Sequence, residues 1–503
     1  MSSAYTADYL RRTAAIGLLA ATFGLLAAAA HAGAESAPAA ASVGSVVDGL
    51  VAEALAANLE LAASGAGVEA RRAAFDAARA RYLPALDFAA RYSRADGGRT
   101  IDLPVGDLLN PVYATLNQLT GSNAFNPVQN QRISLLRPRE QETKVTLAQP
   151  LYDARIGAAR DAASAQFEAA RAAQDALAGR VTRDMRQAYF RWLQARAQVG
   201  ILDATLELAR ENSRVNDSLF RNGKITRDLV YRAEADVLEL EQSRLAAANA
   251  QAIAQSYVNL LRNAPFDRAL SVAAVSDDDV AELRPRLAGH STAVAAAGRP
   301  DEAARALDEL ASVAGAQRAE LRALDAELAA AAAGERLARA AFKPQLLFAV
   351  DAGTQGEQYR YGSDDRYVLA SLVLKFNLFS GGADRAGLAG ARAMQREIAA
   401  NRSLAAQRIR LEVQEALQNL EVAQASLITA AKRVEAAAGA FRIAQKKRDL
   451  GQINQAEFID VRRLLTGSQL NRNVTRFETL GSLAELEYAL GTRSSHSSPE
   501  GPP

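Results

Sequence analysis

The side chains that carry out most protein chemistry are scarce in this sequence. Cysteine is absent, and the three histidines, His31, His290 and His496, lie far apart along the 503 residues. Thiolate nucleophiles, disulfides, cysteine-based metal sites and a lipid anchor on cysteine are therefore excluded. Catalysis or metal binding would have to rest on carboxylates and hydroxyls, and no reactive cluster of these is evident. We therefore expect no enzyme activity, no cofactor and no metal site.

Two carboxylates do form a pattern, because they follow a glycine that interrupts a long helical stretch. Glu457 and Asp460 lie six and nine residues after Gly451, in KRDLGQINQAEFID at 447–460. A spacing of three places both side chains on one face of a helix. An ordinary helix–helix turn with solvated charges would account for the glycine. It would not explain why the two acids stand where they do.

The chain is an internal duplication. A second glycine break, FRNGKITRDLVY, places Gly223 opposite Gly451 at an offset of 228 residues. At an offset of 260, residues 55–86 align with 314–346. The two offsets differ because the first half carries a longer insertion. A duplication of this length is a structural repeat rather than the short period of a solenoid.

Long helices should occupy most of each half. Proline is absent between Pro150 and Pro265 and again between Pro344 and Pro499. The stretch 155–220 is rich in strong helix formers, and its apolar residues recur at threes and fours, which is typical of a seam for a partner helix. At 1.5 Å per residue this stretch would reach roughly 100 Å. That length exceeds what a compact globular domain requires.

Four segments alternate apolar and polar residues with a period of two, which predicts β-strands. They lie at about 85–94, 144–152, 345–353 and 368–379, two in each half. Strands that are apolar on one side and charged on the other suit a barrel with lipid outside and water inside, or a hairpin half-buried on a soluble core. The alternation alone does not distinguish these alternatives.

The number of strands constrains the membrane alternative. Transmembrane barrels begin at about eight strands, and an open edge in lipid leaves backbone groups unsatisfied at a cost of several kcal/mol each. Four strands cannot close, so a membrane-spanning barrel would have to be assembled from several chains. Two copies would supply eight strands and three would supply twelve, and the spacing does not choose between them.

The N-terminus has the pattern of a secretory signal peptide. Arg11 and Arg12 precede an apolar run at 14–30, and small residues follow. We expect 1–34 to be removed on export; the alternative is a retained membrane helix, for which the run is short and rich in alanine. No later segment has 18 or more consecutive apolar residues. The net charge of +2, with acids and bases mixed, favours no nucleic-acid partner.

Together these features resemble the TolC family of outer-membrane efflux proteins. The order helix–strand–strand–helix–turn–helix occurs twice over residues 45–490, with the motifs ARYLPALDFAARYS, VTLAQPLYDARIGAARDAASAQFEAA and LVLKFNLFSGGADRAGLAGARA. The resemblance implies a mainly α fold with a small β part, built from a TolC-like duplicated helix–strand–strand–helix repeat. It also implies a homotrimer, in which four strands per chain complete one 12-stranded β-barrel and the helices form a long α-helical barrel.

The resemblance further implies a function and partners. Such trimers lie in the outer membrane of Gram-negative bacteria, extend into the periplasm and act as passive exit ducts of tripartite efflux or type I secretion systems. The implied partners are a periplasmic adaptor (membrane fusion) protein, an inner-membrane pump and outer-membrane lipid. A soluble periplasmic coiled-coil structural or adaptor protein is the alternative, against which the alternating strands and the missing lipid anchor argue. The cargo stays open among drugs, metals, siderophores and proteins.

The resemblance assigns roles to the glycine breaks and to the acids that follow. Gly223 and Gly451 would form the tips of paired helical hairpins, where a residue that tolerates positive φ is needed and where the adaptor is expected to dock. Glu457 and Asp460 match the family's acids at the narrowest periplasmic constriction, so that a trimer would gather three copies of each around one axis. A solvated helix face remains the alternative.

The match is incomplete near the tips. The family's locking Tyr and Arg, three residues before and two after the second glycine, are replaced by Arg448 and Ile453. The acid expected six residues after the first glycine is Leu229. A different set of inter-hairpin ion pairs is therefore a hypothesis, with the members Arg227, Asp228, Arg448 and Asp449.

The alignment of the two halves predicts the organisation of the chain. A first repeat spans 35–262, with an extracellular loop at 94–143 that is either mobile or a partial cap. A second repeat spans 316–490. Between them, 263–315 is an insertion that the resemblance assigns to the equatorial belt around the tunnel, and 491–503 is expected to be a disordered tail.

Overall fold

The computed structural model of the chain describes residues 42–273, 275, 280, 300–358 and 362–492. The predicted signal peptide, part of the predicted inter-repeat insertion and most of the predicted tail lie outside these residues. None of the helices in the described part of the chain combines the length and the apolar character needed to cross a bilayer.

The described chain is mainly α-helical with a small β part, as the sequence predicts. Its helices are α1 (Val43–Ala57), α2 (Leu59–Ala80), α3 (Val105–Thr120), α4 (Ala154–Arg221), α5 (Arg227–Leu261), α6 (Pro300–Gln317), α7 (Ala319–Ala340), α8 (Ala383–Asp449) and α9 (Gln455–Leu490). Its strands are β1 (Ala85–Arg94), β2 (Thr100–Leu103), β3 (Gln131–Ser134), β4 (Arg139–Asp153), β5 (Gln345–Gly356) and β6 (Arg366–Lys375).

The chain divides into two compact units. Unit 1 comprises Met1–Ser64, Gln174–Ala319 and Ala405–Pro503, and unit 2 comprises Gly65–Ala173 and Glu320–Leu404. Both predicted repeats contribute to both units, because the long helices α4 and α8 each supply one stretch to each unit.

The hydrophobic core of unit 1 is built on the apolar seam of α4. Met185, Tyr189 and Trp192, which recur at threes and fours, are among its largest fully buried side chains. The Tyr189 ring stacks on Trp192 with centroids 5.6 Å apart, and the Tyr189 hydroxyl donates to the Ser271 carbonyl at 2.8 Å. The predicted seam is therefore a packed core.

In unit 1 the C-terminal ends of α5 and α9 are each capped by a side chain that lies between two shorter helices. Asn58, between α1 and α2, donates from Nδ2 to the Leu261 carbonyl at the end of α5, at 2.9 Å. Arg318, between α6 and α7, donates from Nη1 to the Tyr488 and Ala489 carbonyls at the end of α9, at 3.4 and 3.3 Å. The last carbonyls of a helix lack partners within it, so both side chains act as C-terminal caps.

Unit 2 contains a four-stranded antiparallel sheet in the order β1–β4–β5–β6. Two strands come from each repeat, and β4 and β5 join the pairs. The four strands lie close to the segments that the alternation predicts, although β4 begins at Arg139 rather than 144, and β6 ends at Lys375 rather than near 379. It ends there because the chain turns into α8, where the Asp384 carboxylate accepts from Asn377 Nδ2 at 2.7 Å and from the Ser380 hydroxyl.

The segment predicted as an extracellular loop, 94–143, contains the β2–β3 hairpin and α3. Asn110 exchanges two hydrogen bonds with the backbone of Val128, at 2.9 and 2.8 Å. Asn117 does the same with the backbone of Phe125, at 2.8 and 3.1 Å. These bonds fasten α3 to the chain that returns to β3, so the segment has a defined fold of its own.

Candidate functional site

Two glycine turns connect the long helices of unit 1. We call α4 and α5 the first hairpin, and α8 and α9 the second hairpin. Gly223 and Gly451 both have φ of +68°. In each turn the glycine N–H donates to the carbonyl three residues back, at 2.8 and 2.9 Å, and the next N–H donates to the carbonyl five residues back, at 2.9 and 2.7 Å. This is the Schellman arrangement, which satisfies the last helical carbonyls and needs a left-handed residue that glycine adopts without strain.

The helices that follow the two turns begin differently. Asn454 caps α9, because its side-chain oxygen accepts from the Glu457 N–H at 2.8 Å. Thr226 stands at the same position before α5 and makes no such side-chain bond. Glu457 also lies in the first turn of α9, where the helix dipole favours a negative charge. The first turn of α5 also has one acid, Asp228, so the two helix starts differ in their caps and not in the number of acids in the first turn.

Glu457 and Asp460 are both exposed on α9. Phe458 and Ile459 between them are buried, and the Phe458 ring packs 5.8 Å from that of Phe441 on α8. Within the described chain neither carboxylate forms an ion pair or a side-chain hydrogen bond, and no group of three or more acids or histidines is arranged to hold a metal ion. The helix thus presents two carboxylates without ion-pair partners, on a turn that Phe458 and Ile459 anchor in the core.

Arg448, at the end of α8, is partly buried against its own hairpin. Its guanidinium lies 4.5 Å from the centre of the Phe458 ring. Burial lowers the pKa of Arg448, and the opposing influence of Asp449 and Glu211 is weaker. The contact is a cation–π interaction, which stabilises the turn by roughly 0.5–2 kcal/mol, more as it becomes desolvated.

The proposed ion-pair set is not formed within a single chain. Arg227 lies over the ring of Tyr231 at 5.4 Å, on its own helix. Among the described residues, no ion pair joins Arg227 or Arg448 to Asp228 or Asp449. Pairing of these side chains between copies of the chain stays a prediction.

A buried ion pair that the sequence did not reveal joins the two hairpins. Arg462 on α9 contacts Asp236 on α5 at 2.6 Å, and each side chain is only 4% exposed. Arg463 adds a contact to Asp236 at 3.4 Å and one to Glu239 at 2.7 Å. Burial lowers the pKa of Arg462, and the Asp236 carboxylate opposes that change. The pair therefore keeps two charges in a site from which water is excluded.

A sequence signal for this pair does exist. Along α9 the buried positions recur at threes and fours through Ile459, Arg462 and Thr466, so a charged residue stands in the packing seam. Thr466 meets Thr205 of α4 at 3.2 Å between hydroxyls, which makes this part of the seam polar as well. A charge in a seam predicts a buried partner, but only the fold identifies that partner as a residue far away in the chain.

The sheet of unit 2 has two chemically different faces. The strand register places the following apolar residues on one side, here called the apolar face: Leu86, Phe88, Val145, Leu147, Phe348, Val350, Val368, Leu372 and Leu374. Many of them are open to the surroundings; Phe88 is 71% exposed and Leu374 68%.

The opposite side, here called the polar face, carries charges that neutralise one another. Arg91 pairs with Glu142 at 3.0 Å, and Lys144 lies 3.9 Å from Asp351, which also accepts from the Thr146 hydroxyl. β1 and β6 each have one neighbouring strand, so the sheet has two open edges. An exposed apolar face with open edges is unfavourable in water and must be covered.

Solved structures of three bacterial outer membrane proteins have the same fold as this chain. The CmeC outer membrane channel of Campylobacter jejuni matches with a TM-score of 0.71 at 15% identity, over 88% of this chain and 85% of that one. The outer membrane protein VceC of Vibrio cholerae matches with a TM-score of 0.69 at 16% identity, over 88% and 96%. The MtrE outer membrane channel of Neisseria gonorrhoeae, in its open state, matches with 0.68 at 18%, over 89% of each chain.

The sequence itself matches one family model. No significant match was found among functionally curated proteins. The model described as outer membrane efflux protein matches residues 50–262 and 310–492, which together make up most of the chain. The chain therefore belongs to the outer membrane efflux protein family.

Proposed function

We propose that three copies of this chain form a passive exit duct in the outer membrane of a Gram-negative bacterium, serving a tripartite efflux or type I secretion system. The observation that carries the proposal is the four-stranded sheet, with an exposed apolar face, a neutralised polar face and two open edges. Such a sheet is stable in lipid only as part of a closed wall, because unpaired backbone groups in hydrocarbon cost several kcal/mol each.

Closure of the barrel and the family support the number of copies. Four strands lie below the smallest transmembrane barrels, which have about eight. Two copies would reach that minimum and three would give twelve strands. Membership of the outer membrane efflux protein family supports three, with β6 of one copy pairing with β1 of the next.

The hairpins would form the tunnel that continues the barrel into the periplasm. In a trimer, Glu457 and Asp460 would contribute six carboxylates to one ring near the hairpin tips. These acids are exposed and unpaired in the single chain, which supports such a role. A ring of this kind attracts cations and raises the barrier for anions.

The partners of the duct would meet it at the same end. The turns at Gly223 and Gly451 would receive the periplasmic adaptor protein, and an inner-membrane pump would supply the energy. An exported soluble adaptor is the competing function. The exposed leucines and Phe88 of the apolar face argue against it, because water would have to solvate them.

Engineered disulfides test the trimer directly, because the chain has no cysteine of its own. One cysteine on β1 and one on β6, for example Ser93→Cys with Ser371→Cys and neighbouring combinations, should cross-link copies into a covalent ring of three under oxidation. Planar-bilayer recording of the same mature protein should show ionic current. A monodisperse single copy that gives no cross-linked trimer and no current would refute the proposal. Cysteines on α3, away from the strand edges, are the matched control.

A further inference from the structure

The apolar face of the sheet ends in arginines where the strands meet the loops. On β1 the apolar-face residues run from Phe88 through Tyr92 to Arg94, the last residue of the strand. Arg94 pairs directly with Arg139, the first residue of β4. Arg366 begins β6 on the same face, opposite Thr354. We call Arg94, Arg139 and Arg366 the loop-end arginines.

Arg94 and Arg139 place two like charges directly opposite each other in the sheet. Like charges directly opposite each other in a sheet destabilise it, because their Cβ atoms are only about 4.5–5.5 Å apart. Two arginines of the same unit do have a carboxylate partner: Arg91 on the polar face has Glu142 at 3.0 Å, and Arg132 in the β2–β3 hairpin has Asp102 at 2.7 Å.

No such compensation reaches the loop-end arginines. Within the described residues, no carboxylate forms an ion pair with Arg94, Arg139 or Arg366, and all three side chains are exposed. Two adjacent guanidinium groups form a geometry that suits a phosphate, whose oxygens accept several N–H groups at once. The register thus leaves two like charges side by side, with no counter-charge from the described residues.

The surroundings identify the kind of anion. The site adjoins exposed apolar surface, with Phe88 at 71% and Tyr92 at 60% exposure leading up to it. An aromatic residue between an apolar band and a charged end is typical of the boundary between hydrocarbon and headgroups. A ligand that satisfies both parts has acyl chains beside a phosphate.

We propose that the loop-end arginines bind the phosphate groups of an anionic glycolipid of the outer leaflet, with its acyl chains on the apolar face. The inference rests on the proposed function, because the loop end of the sheet faces the outer leaflet only if the hairpins lie on the periplasmic side. The lipid neutralises the Arg94–Arg139 repulsion and thereby stabilises the edge strand β1.

Native mass spectrometry of the mature assembly tests the proposal with diphosphorylated lipid A as the probe. Each arginine near an anionic surface contributes about 1 kcal/mol, or about five-fold in affinity. The double variant Arg94→Gln/Arg139→Gln should therefore bind lipid A about thirty-fold more weakly, and Arg366→Gln about five-fold. Arg132→Gln, at the same end but paired with Asp102, is the matched control and should bind as the native protein does.

Two further arms distinguish the sources of phosphate. Lipid A stripped of its phosphates should bind the native protein no better than lipid A binds the double variant. Millimolar inorganic phosphate should not displace the lipid. Equal binding by the double variant, equal binding of the stripped lipid, or displacement by inorganic phosphate would each overturn the proposal.

Ionic currents in planar bilayers distinguish an error in the lipid site from an error in the proposed duct. The double variant should conduct in planar bilayers as the native protein does, because its changes lie on the apolar face rather than in the pore. If the native protein assembles and conducts but shows no preference for phosphorylated lipid, the lipid site is wrong and the duct stands. If it neither assembles nor conducts, the duct itself is wrong, and with it the orientation on which the lipid site depends.

Discussion

The turn of the first hairpin and the turn of the second have the same backbone and different side chains. Gly223 and Gly451 share a φ of +68° and the same pair of hydrogen bonds. At the offset of 228 residues that relates them, Leu229 stands where the second hairpin has Glu457, and Arg232 where it has Asp460. The reversal of two antiparallel helices depends on one left-handed residue, so both copies need it. The charged residues and the N-cap residue after the turn are not needed for the reversal, and they differ between the two hairpins.

The contact between the hairpins is also unequal. Asp236 of the first hairpin aligns with Leu464 of the second, and Arg462 of the second aligns with Glu234 of the first. The buried pair is therefore a link that the internal repeat does not duplicate, and Arg186 of the first hairpin also pairs with Glu487 of the second.

The largest expected effect comes from breaking that link. Asp236→Asn leaves Arg462 buried without a counter-charge, which should cost about 3–5 kcal/mol and lower the melting temperature of the detergent-solubilised protein. Arg462→Met should cost less, because Asp236 keeps Arg463 at 3.4 Å. Glu239→Gln removes only the exposed partner of Arg463 and, as the control, should stay within about 1 kcal/mol.

The rank order of the melting temperatures of these variants tests the role of the buried pair. If Asp236→Asn melts no earlier than Glu239→Gln, the buried pair does not hold the hairpins together. The double variant Asp236→Leu/Arg462→Met should recover most of the loss, since a well-packed apolar pair replaces a buried ion pair at little cost.

A smaller effect, equal in both turns, is expected from the glycines. Alanine in the left-handed region costs roughly 1–2 kcal/mol, and a Cβ at Gly223 or Gly451 would meet no neighbouring atom within 4 Å. Gly223→Ala and Gly451→Ala should therefore lower the melting temperature by similar amounts. Gly439→Ala, inside α8 and equally open, should raise it, because alanine is the better helix former. Unequal losses at the two turns would show that their shared geometry is not what constrains them.

Features that depend on near neighbours in the chain were predictable. The stretch 155–220 became α4 at Ala154–Arg221, because helix formers without proline leave little other choice. The strands followed from their alternation, and the turns from glycine. The placement of Glu457 and Asp460 on one face of α9 followed from their spacing of three.

Features that depend on distant residues were not predictable. The fold of 94–143 rests on Asn110 and Asn117 bonding to backbone 18 and 8 residues away, and asparagine in a proline-containing segment equally predicts plain turns. The pair of Asp236 and Arg462 bridges 226 residues. The opposed Arg94 and Arg139 emerge only from the strand register. Pairing across the fold requires coordinates, because a sequence does not specify which of many charges meet.

The second hairpin carries two acids, Glu457 and Asp460, that the first hairpin lacks at the aligned positions. Glu457→Gln/Asp460→Asn should reduce the preference for cations over anions by roughly five-fold or more, because six carboxylates leave one ring of the proposed trimer. Reversal potentials in a potassium chloride gradient measure the ratio. Glu234→Gln removes an exposed acid from the first hairpin and should change it little. An unchanged ratio in the double variant would make these acids a solvated helix face.

The smallest expected effect is the difference in stability lost when the N-cap side chains of α9 and α5 are removed. Asn454→Ala removes the acceptor of the Glu457 N–H and should cost about 1 kcal/mol, whereas Thr226→Ala removes no bond and should cost only a few tenths. Amide hydrogen exchange resolves the difference locally, because the first turn of α9 should exchange faster in Asn454→Ala while the first turn of α5 stays unchanged in Thr226→Ala. Equal acceleration in both would mean that the asparagine cap does not distinguish the hairpins. The capping bond also holds the N-terminal turn that carries Glu457, so a frayed turn in Asn454→Ala should weaken cation preference in part, below the loss seen when the carboxylates themselves are removed.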